Sequence, residues 1–256
     1  MTRKRINQSI MQMFGVLLVG DIHERACAAG WRLPIDRKRR QRLALVRRAR
    51  TLFIHIPKNA GTSVSHALYG EQIKHATIRY YGKVARRMLW NTTSFAILRD
   101  PVARFLSAFN YARNGGSADV GIAAPFRDRY MAFQSVDDAL DHLEGAADIY
   151  QIDHIFRPQS WYITDRAGKV MVDRLFMVEE FDRVRRFLAL RQVPEVPHLN
   201  HIEEPPAELS ETQIARIRRF YARDFELVQA LRSETAERLP SLRELPPLPD
   251  EHRRAG

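Results

Sequence analysis

Short apolar runs ending in polar, small-residue loops alternate along this chain with stretches whose apolar residues recur at helical spacing. The clearest run is residues 52–56, Leu-Phe-Ile-His-Ile, closed by Pro57, which cannot donate to a sheet ladder. Its length and near-continuous hydrophobicity predict a buried parallel strand. Lys58, Asn59, Ala60 and Gly61 then read as a tight turn, and Thr62, Ser63 and Ser65 as the opening of a helix. A second run at 94–98 predicts another strand and leads into Arg99-Asp-Pro-Val-Ala-Arg-Phe-Leu-Ser107. There Asp100 suits a helix cap and Pro101 the first helical position. A third strand is expected at 175–178, followed by a helix over 179–190 with Phe181, Val184, Phe187 and Leu188 on one face.

Between these markers, Ile78, Tyr81, Val84 and Met88 predict an amphipathic helix within 73–90, with His75 just before it. The glycine-rich stretch 114–121 reads as the clearest flexible loop in the chain. A helix is expected from Ser135 over 136–143, and a hairpin or two short strands over 162–172. Ser210 with Gln213 gives a capping-box start for a long helix reaching about residue 231. Prolines at 194, 197, 205 and 206 interrupt the chain before it, and a Pro-rich charged tail occupies 239–256.

Charge changes this picture at one end only. Of the net charge of +11, residues 1–50 carry thirteen Lys/Arg against three Asp/Glu, while residues 51–256 carry 28 against 27. The basic run 36–50 reads as a helix leading into the first strand, with either a solvated face or a foothold on an anionic membrane surface or acidic glycan. It contains no aromatic residue, which argues against nucleic acid. The apolar run 10–19 is too short to span a bilayer and is interrupted by Gln12. Three readings stay open for it: a leader, an interfacial helix, or a helix packed on the domain. A single cysteine, Cys27, excludes an intrachain disulfide, and no Cys/His spacing suggests a metal site. A cytoplasmic location, peripheral on the membrane if residues 1–50 bind it, is the matching expectation.

Strand, small-residue loop and helix start together aim backbone N–H groups and the positive end of a helix dipole at an anion. The nucleotide-binding loop of kinases and GTPases carries its lysine late, as G-x-x-x-x-G-K-[ST]; here Lys58 comes first. Arg99 at the second strand end and Ser107 two turns into the following helix could converge on a second anion. Two such sites imply a ligand with two separate phosphate groups.

These residues carry a specific resemblance. Phe53-Ile-His-Ile-Pro-Lys-Asn-Ala-Gly-Thr-Ser63 resembles the 5′-phosphosulfate loop of the sulfotransferases that use 3′-phosphoadenosine 5′-phosphosulfate (PAPS), and the stretch from Arg99 to Ser107 resembles their 3′-phosphate motif. The version is similar to the carbohydrate sulfotransferases of the Golgi and their bacterial relatives. Weaker matches occur at His154-Ile-Phe-Arg-Pro-Gln-Ser-Trp161, at Leu199-Asn-His201 and at Tyr221-Ala-Arg-Asp-Phe225. The resemblance implies a P-loop-like α/β/α sandwich with a central parallel sheet, and PAPS as co-substrate without a metal. It also implies a saccharide or glycolipid acceptor. The expected division is a basic extension at 1–50, a sulfotransferase domain at 51–238 and the tail at 239–256.

On this reading Lys58 neutralises charge on the leaving group. The donor is held by Lys58, Asn59, Ala60, Gly61, Thr62, Ser63, Arg99 and Ser107. The acceptor hydroxyl needs a general base, and His75 is the candidate, with activity falling below a pH near histidine's ordinary value. His55 is expected to be a hydrogen-bonded core residue, Arg104 a structural one, and His154 with Gln159 to line the acceptor side. Two rivals remain at this stage: a P-loop-like phosphotransferase, and a non-catalytic polyanion binder.

Overall fold

The computed structural model describes residues 3–117, 120–193, 196 and 208–237. The stretch Leu199-Asn-His201, the prolines at 194, 197, 205 and 206, and the tail at 239–256 lie outside the described residues. Three helices come first, α1 (Arg3–Phe14), α2 (Asp21–Ala28) and α3 (Arg37–Ala49). Strand β1 (Thr51–Ile54) is followed by α4 (Gly61–Tyr69), α5 (Ile78–Val84), α6 (Arg86–Leu89) and β2 (Thr93–Leu98). Helices α7 (Pro101–Arg113), α8 (Ala124–Met131), α9 (Val136–Glu144) and α10 (Gln159–Ile163) lead to β3 (Arg174–Met177). Helices α11 (Phe181–Ala189), α12 (Glu211–Phe220) and α13 (Ala222–Glu237) complete the order.

The three strands form a parallel sheet in the order β1-β2-β3, with Phe53 opposite Phe95 and Ile97 opposite Phe176. Helices flank it, so the expected α/β class with a central parallel sheet is the fold of this chain. Parallel strands need helical crossovers that cover them, which is why β1 is fully buried and apolar after Thr51. The sheet shares one apolar core with Leu43 and Val46 of α3, Val64 of α4, Val184 and Leu188 of α11, and Leu227 and Val228 of α13. A second core joins α7, α8, α9 and α12 through Phe105, Phe109, Tyr130, Leu140 and Ile217.

β1 lies at the sheet edge, where unpaired backbone groups need another partner. Tyr69, the last residue of α4, supplies it: its hydroxyl accepts from Phe53 N at 2.9 Å and donates to Thr51 O at 2.9 Å. The end of α4 is thus tied to the start of the strand that precedes it, which fixes the loop between them.

Several expected elements differ. The single helix within 73–90 is two, because Ala85 leaves helical geometry at φ −140° while Val84 and Met88 both stay buried. The expected hairpin over 162–172 is instead α10 followed by one isolated bridge, Thr164 to Val170. Helix α10 forms because the buried carboxylate of Asp224, 65 positions away from Gln159, accepts from Gln159 N at 2.7 Å and Ser160 N at 2.8 Å. The long helix after Ser210 breaks at Tyr221 (φ −104°), whose buried hydroxyl donates to Phe156 O at 2.7 Å. The Ser210 capping box, the Asp100 cap and the helix start at Ser135 form as the sequence indicates, and at Ser135 the structure adds a capping box with Asp138.

The N-terminal helices pack onto the body. Ile10, Met11 and Phe14 lie against Val16, Ile22 and Tyr150. Asp21 and Arg157 are both fully buried and bonded bidentately, at 2.9 and 2.6 Å. None of the described helices is long and apolar enough to cross a membrane. Removing one partner of a buried ion pair leaves an uncompensated charge and typically costs about 3–5 kcal/mol. Asp21→Ala should therefore lower the unfolding free energy by about that amount in urea titration. A loss below about 1 kcal/mol, the range of an exposed pair, would mean that this contact does not hold the N-terminal helices.

Candidate functional site

The loop between β1 and α4 is shaped by backbone geometry that side chains seldom adopt. Lys58 (φ 68°) and Ala60 (φ 60°) are both left-handed, a conformation that costs a non-glycine residue energy and is held only by its surroundings. Ala60 occupies the cap position of α4 and provides no side-chain cap. The first-turn N–H groups of Gly61, Thr62 and Ser63 have no intrahelical acceptor by the geometry of any helix start. Thr62 is exposed and Ser63 half-buried. Gly61 is required by packing: a Cβ there would stand 2.0 Å from His55 Cδ2. The buried His55 ring lies directly against the loop, with Nδ1 3.4 Å from Ile73 O, as a hydrogen-bonded core histidine should.

The second loop meets the first through one buried amide. Gln159 Oε1 accepts from Asn59 Nδ2 at 2.6 Å and from Arg99 N at 2.9 Å, while its Nε2 donates to Arg99 O at 2.8 Å. Asn59 Nδ2 also donates to Ile97 O at 2.7 Å, so the amide nitrogen of this buried side chain is committed to the protein, while its Oδ1 has no hydrogen-bond partner among the described residues. The guanidinium of Arg99 reaches back to Lys58 O at 3.3 Å. Arg104 is structural as expected: it is buried and donates to the carbonyls of Pro57 (3.1 Å) and Ile155 (3.2 Å). Lys58, Arg99 and the start of α4 are therefore brought to one place at the carboxyl ends of two adjacent strands. Ser107 lies half-buried on α7.

Sequence reading missed the parts played here by Tyr111, Gln159 and Asp224. The Lys58 ammonium lies 4.1 Å from the centre of the Tyr111 ring, on α7. Gln159, expected on the acceptor side, instead joins the two anion loops, and Asp224 holds the helix that carries it. For Gln159 and Asp224 the only signal was the weak motif match around each, because both act across sixty or more positions of chain, and Tyr111 lies in no such match.

His75 sits, as expected, in the loop before α5, two residues ahead of the Thr77 cap. Its Nδ1 is 2.9 Å from the carbonyl of His55. A carbonyl can only accept, so Nδ1 carries the proton and Nε2 is left as the basic nitrogen. Three imidazoles from separate segments adjoin in tilted pairs, His55 to His75 at 4.3 Å and His75 to His154 at 5.9 Å between centroids. Burial pushes His75 down to about 4, the His55 carbonyl opposes this, and the charges of Arg104, Arg157 and Lys74 add to it. Its protonation is thus displaced from the ordinary histidine range, which corrects the expected pH dependence. Burial and Arg157 likewise hold His154 well below its ordinary value. His154 does line a cavity with His75, whereas Gln159 does not.

The His55–Gly61 contact gives a direct test. Gly61→Ala should destabilise the fold by about 1–3 kcal/mol, the usual cost of overpacking. His55→Ala in the same chain should recover part of that loss, as a double-mutant cycle would read. Strictly additive losses would show that ring and glycine do not constrain one another.

Comparison with known proteins bears on the same residues. No curated protein and no solved structure matches the chain. A model of the Sulfotransferase family matches residues 41–229, well over half of the 256-residue chain. The match begins within α3, contains both anion loops and ends within α13. This chain therefore belongs to the sulfotransferase family.

Proposed function

We propose that the protein transfers the sulfuryl group of PAPS to a hydroxyl of a saccharide acceptor. The observation that carries this reading is the junction of the two strand-end loops, with Arg99 on the carbonyl of Lys58 and both loops on Gln159. One ligand with phosphates at two separate positions would satisfy both loops. The N–H groups at the start of α4 and the Lys58 ammonium suit the 5′-phosphosulfate end. Arg99 and the Ser107 hydroxyl suit the 3′-phosphate. The saccharide acceptor follows from the likeness of the Lys58 loop to the carbohydrate branch of the family.

In-line transfer breaks the bond from sulfur to the bridging phosphate oxygen and forms a bond from sulfur to the acceptor oxygen. Catalysis is then mostly alignment and charge stabilisation. Lys58 meets charge growing on the bridging oxygen. Its contact with Tyr111 does not prevent this, because an exposed cation–π contact is worth only about 0.5–1 kcal/mol. A charge-assisted hydrogen bond to phosphate is stronger, at about 1.5–3 kcal/mol. The acceptor's proton passes to Nε2 of His75, the ring nitrogen its tautomer leaves basic. Adenosine 3′,5′-bisphosphate leaves.

Adenosine 3′,5′-bisphosphate should bind far more tightly than AMP, and Arg99→Ala should collapse that difference in calorimetry. Equal affinity for the two nucleotides in the wild type would remove the 3′-site assignment and with it the donor.

Lys58→Ala should lower turnover by several orders of magnitude. His75→Ala should lower kcat by about 10²–10⁴-fold and leave bisphosphate affinity unchanged. The neutral imidazole is the active form, so activity is retained above its pKa and lost as pH falls through it. In the free enzyme His75 should titrate near 4, and the anionic bisphosphate should raise that value by stabilising the imidazolium. Imidazole NMR with and without bisphosphate reads both. Retention of activity within about threefold in His75→Ala, against the range expected for a base, would exclude it.

A further inference from the structure

A cavity of about 390 Å³ opens beside His75, within the size range of small-ligand sites. One wall comes from residues 18–20, α2 and α3, and the other from residues 74–76, α5 and His154. Leu18, Leu43, Tyr80 and Tyr81 give it apolar surface, and Arg39, Arg42 and Lys74 give it positive charge. The acids nearby are already engaged. Glu24 accepts from Thr77 N at 2.8 Å and Thr77 Oγ1 at 2.7 Å, and Asp36 pairs with Arg39 at 2.6 Å. Among the described residues, neither Arg42 nor Lys74 is in an ion pair.

We propose that this cavity is the acceptor site and that Arg42 and Lys74 select an acceptor bearing an anionic group, a carboxylate or sulfate, besides the hydroxyl that is sulfated. The inference rests on the sulfuryl-transfer reading above and deepens it. His75 lines the cavity while its Nδ1–H is fixed on the carbonyl of His55, three residues before Lys58. An acceptor held here lies against the base and close to the strand end that carries the donor loop. The apolar surface suits the face of a sugar ring, and two unpaired cations on one wall and the other suit its charge. The cations crowd one another: burial, then Arg42 and Arg39, lower the pKa of Lys74. A bound anion relieves that crowding. Leu18, Val19, Gly20, Glu24 and Arg39 lie outside the stretch matched by the family model, whereas Arg42 and Lys74 lie inside it, so the N-terminal segment completes a wall whose two selecting cations belong to the matched domain.

The test compares p-nitrophenyl β-D-glucuronide with p-nitrophenyl β-D-glucoside on the full-length protein, by calorimetry in the presence of adenosine 3′,5′-bisphosphate. The two probes differ by one carboxylate. The glucuronide should bind about tenfold or more tightly than the glucoside, as expected for a charge-assisted contact. Arg42→Gln and Lys74→Gln should each shrink that preference, and the double variant should abolish it while bisphosphate affinity stays unchanged. Equal affinity for the two glycosides, no binding of either, or a preference that survives in the double variant would overturn the assignment. Failure of the bisphosphate itself to bind would instead overturn the sulfuryl-transfer reading, so the two failures are distinct.

Discussion

The side-chain amide of Gln159 joins two loops that the strands alone would leave independent. Its oxygen accepts from Asn59 and from the backbone of Arg99, and its nitrogen donates back to Arg99. Each buried donor left unsatisfied would cost about 1–3 kcal/mol, so Gln159 is held as firmly as it holds. Its own position depends on Asp224, which caps α10. Burial raises the pKa of that carboxyl, and hydrogen bonds to Ser160 and Gln159 favour its charged form. A chain of contacts thus runs from α13 near the end of the described chain to the Lys58 loop near its start. Strain at Lys58 and Ala60 persists because both ends of their loop are tied down, by Tyr69 on one side and by Asn59 and Gln159 on the other.

A second buried contact attaches the N-terminal helices to this frame. Arg157 lies two residues before Gln159 and pairs with Asp21. Its guanidinium also faces His154 Nδ1 at 3.4 Å, which leaves Nε2 of His154 to carry the proton toward Asp21 at 3.4 Å. One short segment, 154–159, therefore orders the histidine cluster, the N-terminal wall and the two anion loops. Geometry, rather than proximity in sequence, couples the base candidate to the lysine.

The site is built from fixed cations and neutral histidines. Arg99, Arg104 and Arg157 are held by carbonyls or by Asp21, while burial keeps His55, His75 and His154 uncharged. Three imidazoles this close could not share positive charge without repulsion. Neutrality at ordinary pH is what a base requires, and a low pKa makes that base weak until an anion arrives to strengthen it.

Local pattern made much of this legible. The apolar run before Pro57, the small residues 59–61, the Asp100–Pro101 start of α7, the helix start at Ser135 and the box at Ser210 each depend on neighbours a few positions away. They formed where the sequence placed them because capping, strand burial and turn chemistry are local interactions. The order of Lys58 and Arg99, each after a strand, is the local pattern on which the expectation of a ligand with two anionic groups rests. Tertiary structure decided the rest. It made α10 a helix through Asp224, broke the last helix at Tyr221 to reach Phe156, moved Gln159 from the acceptor side to the join between loops, and lowered His75 by burial among arginines. Those outcomes depend on desolvation and on hydrogen bonds between residues far apart in the chain, and no local pattern of hydrophobic and polar positions encodes which distant groups will meet.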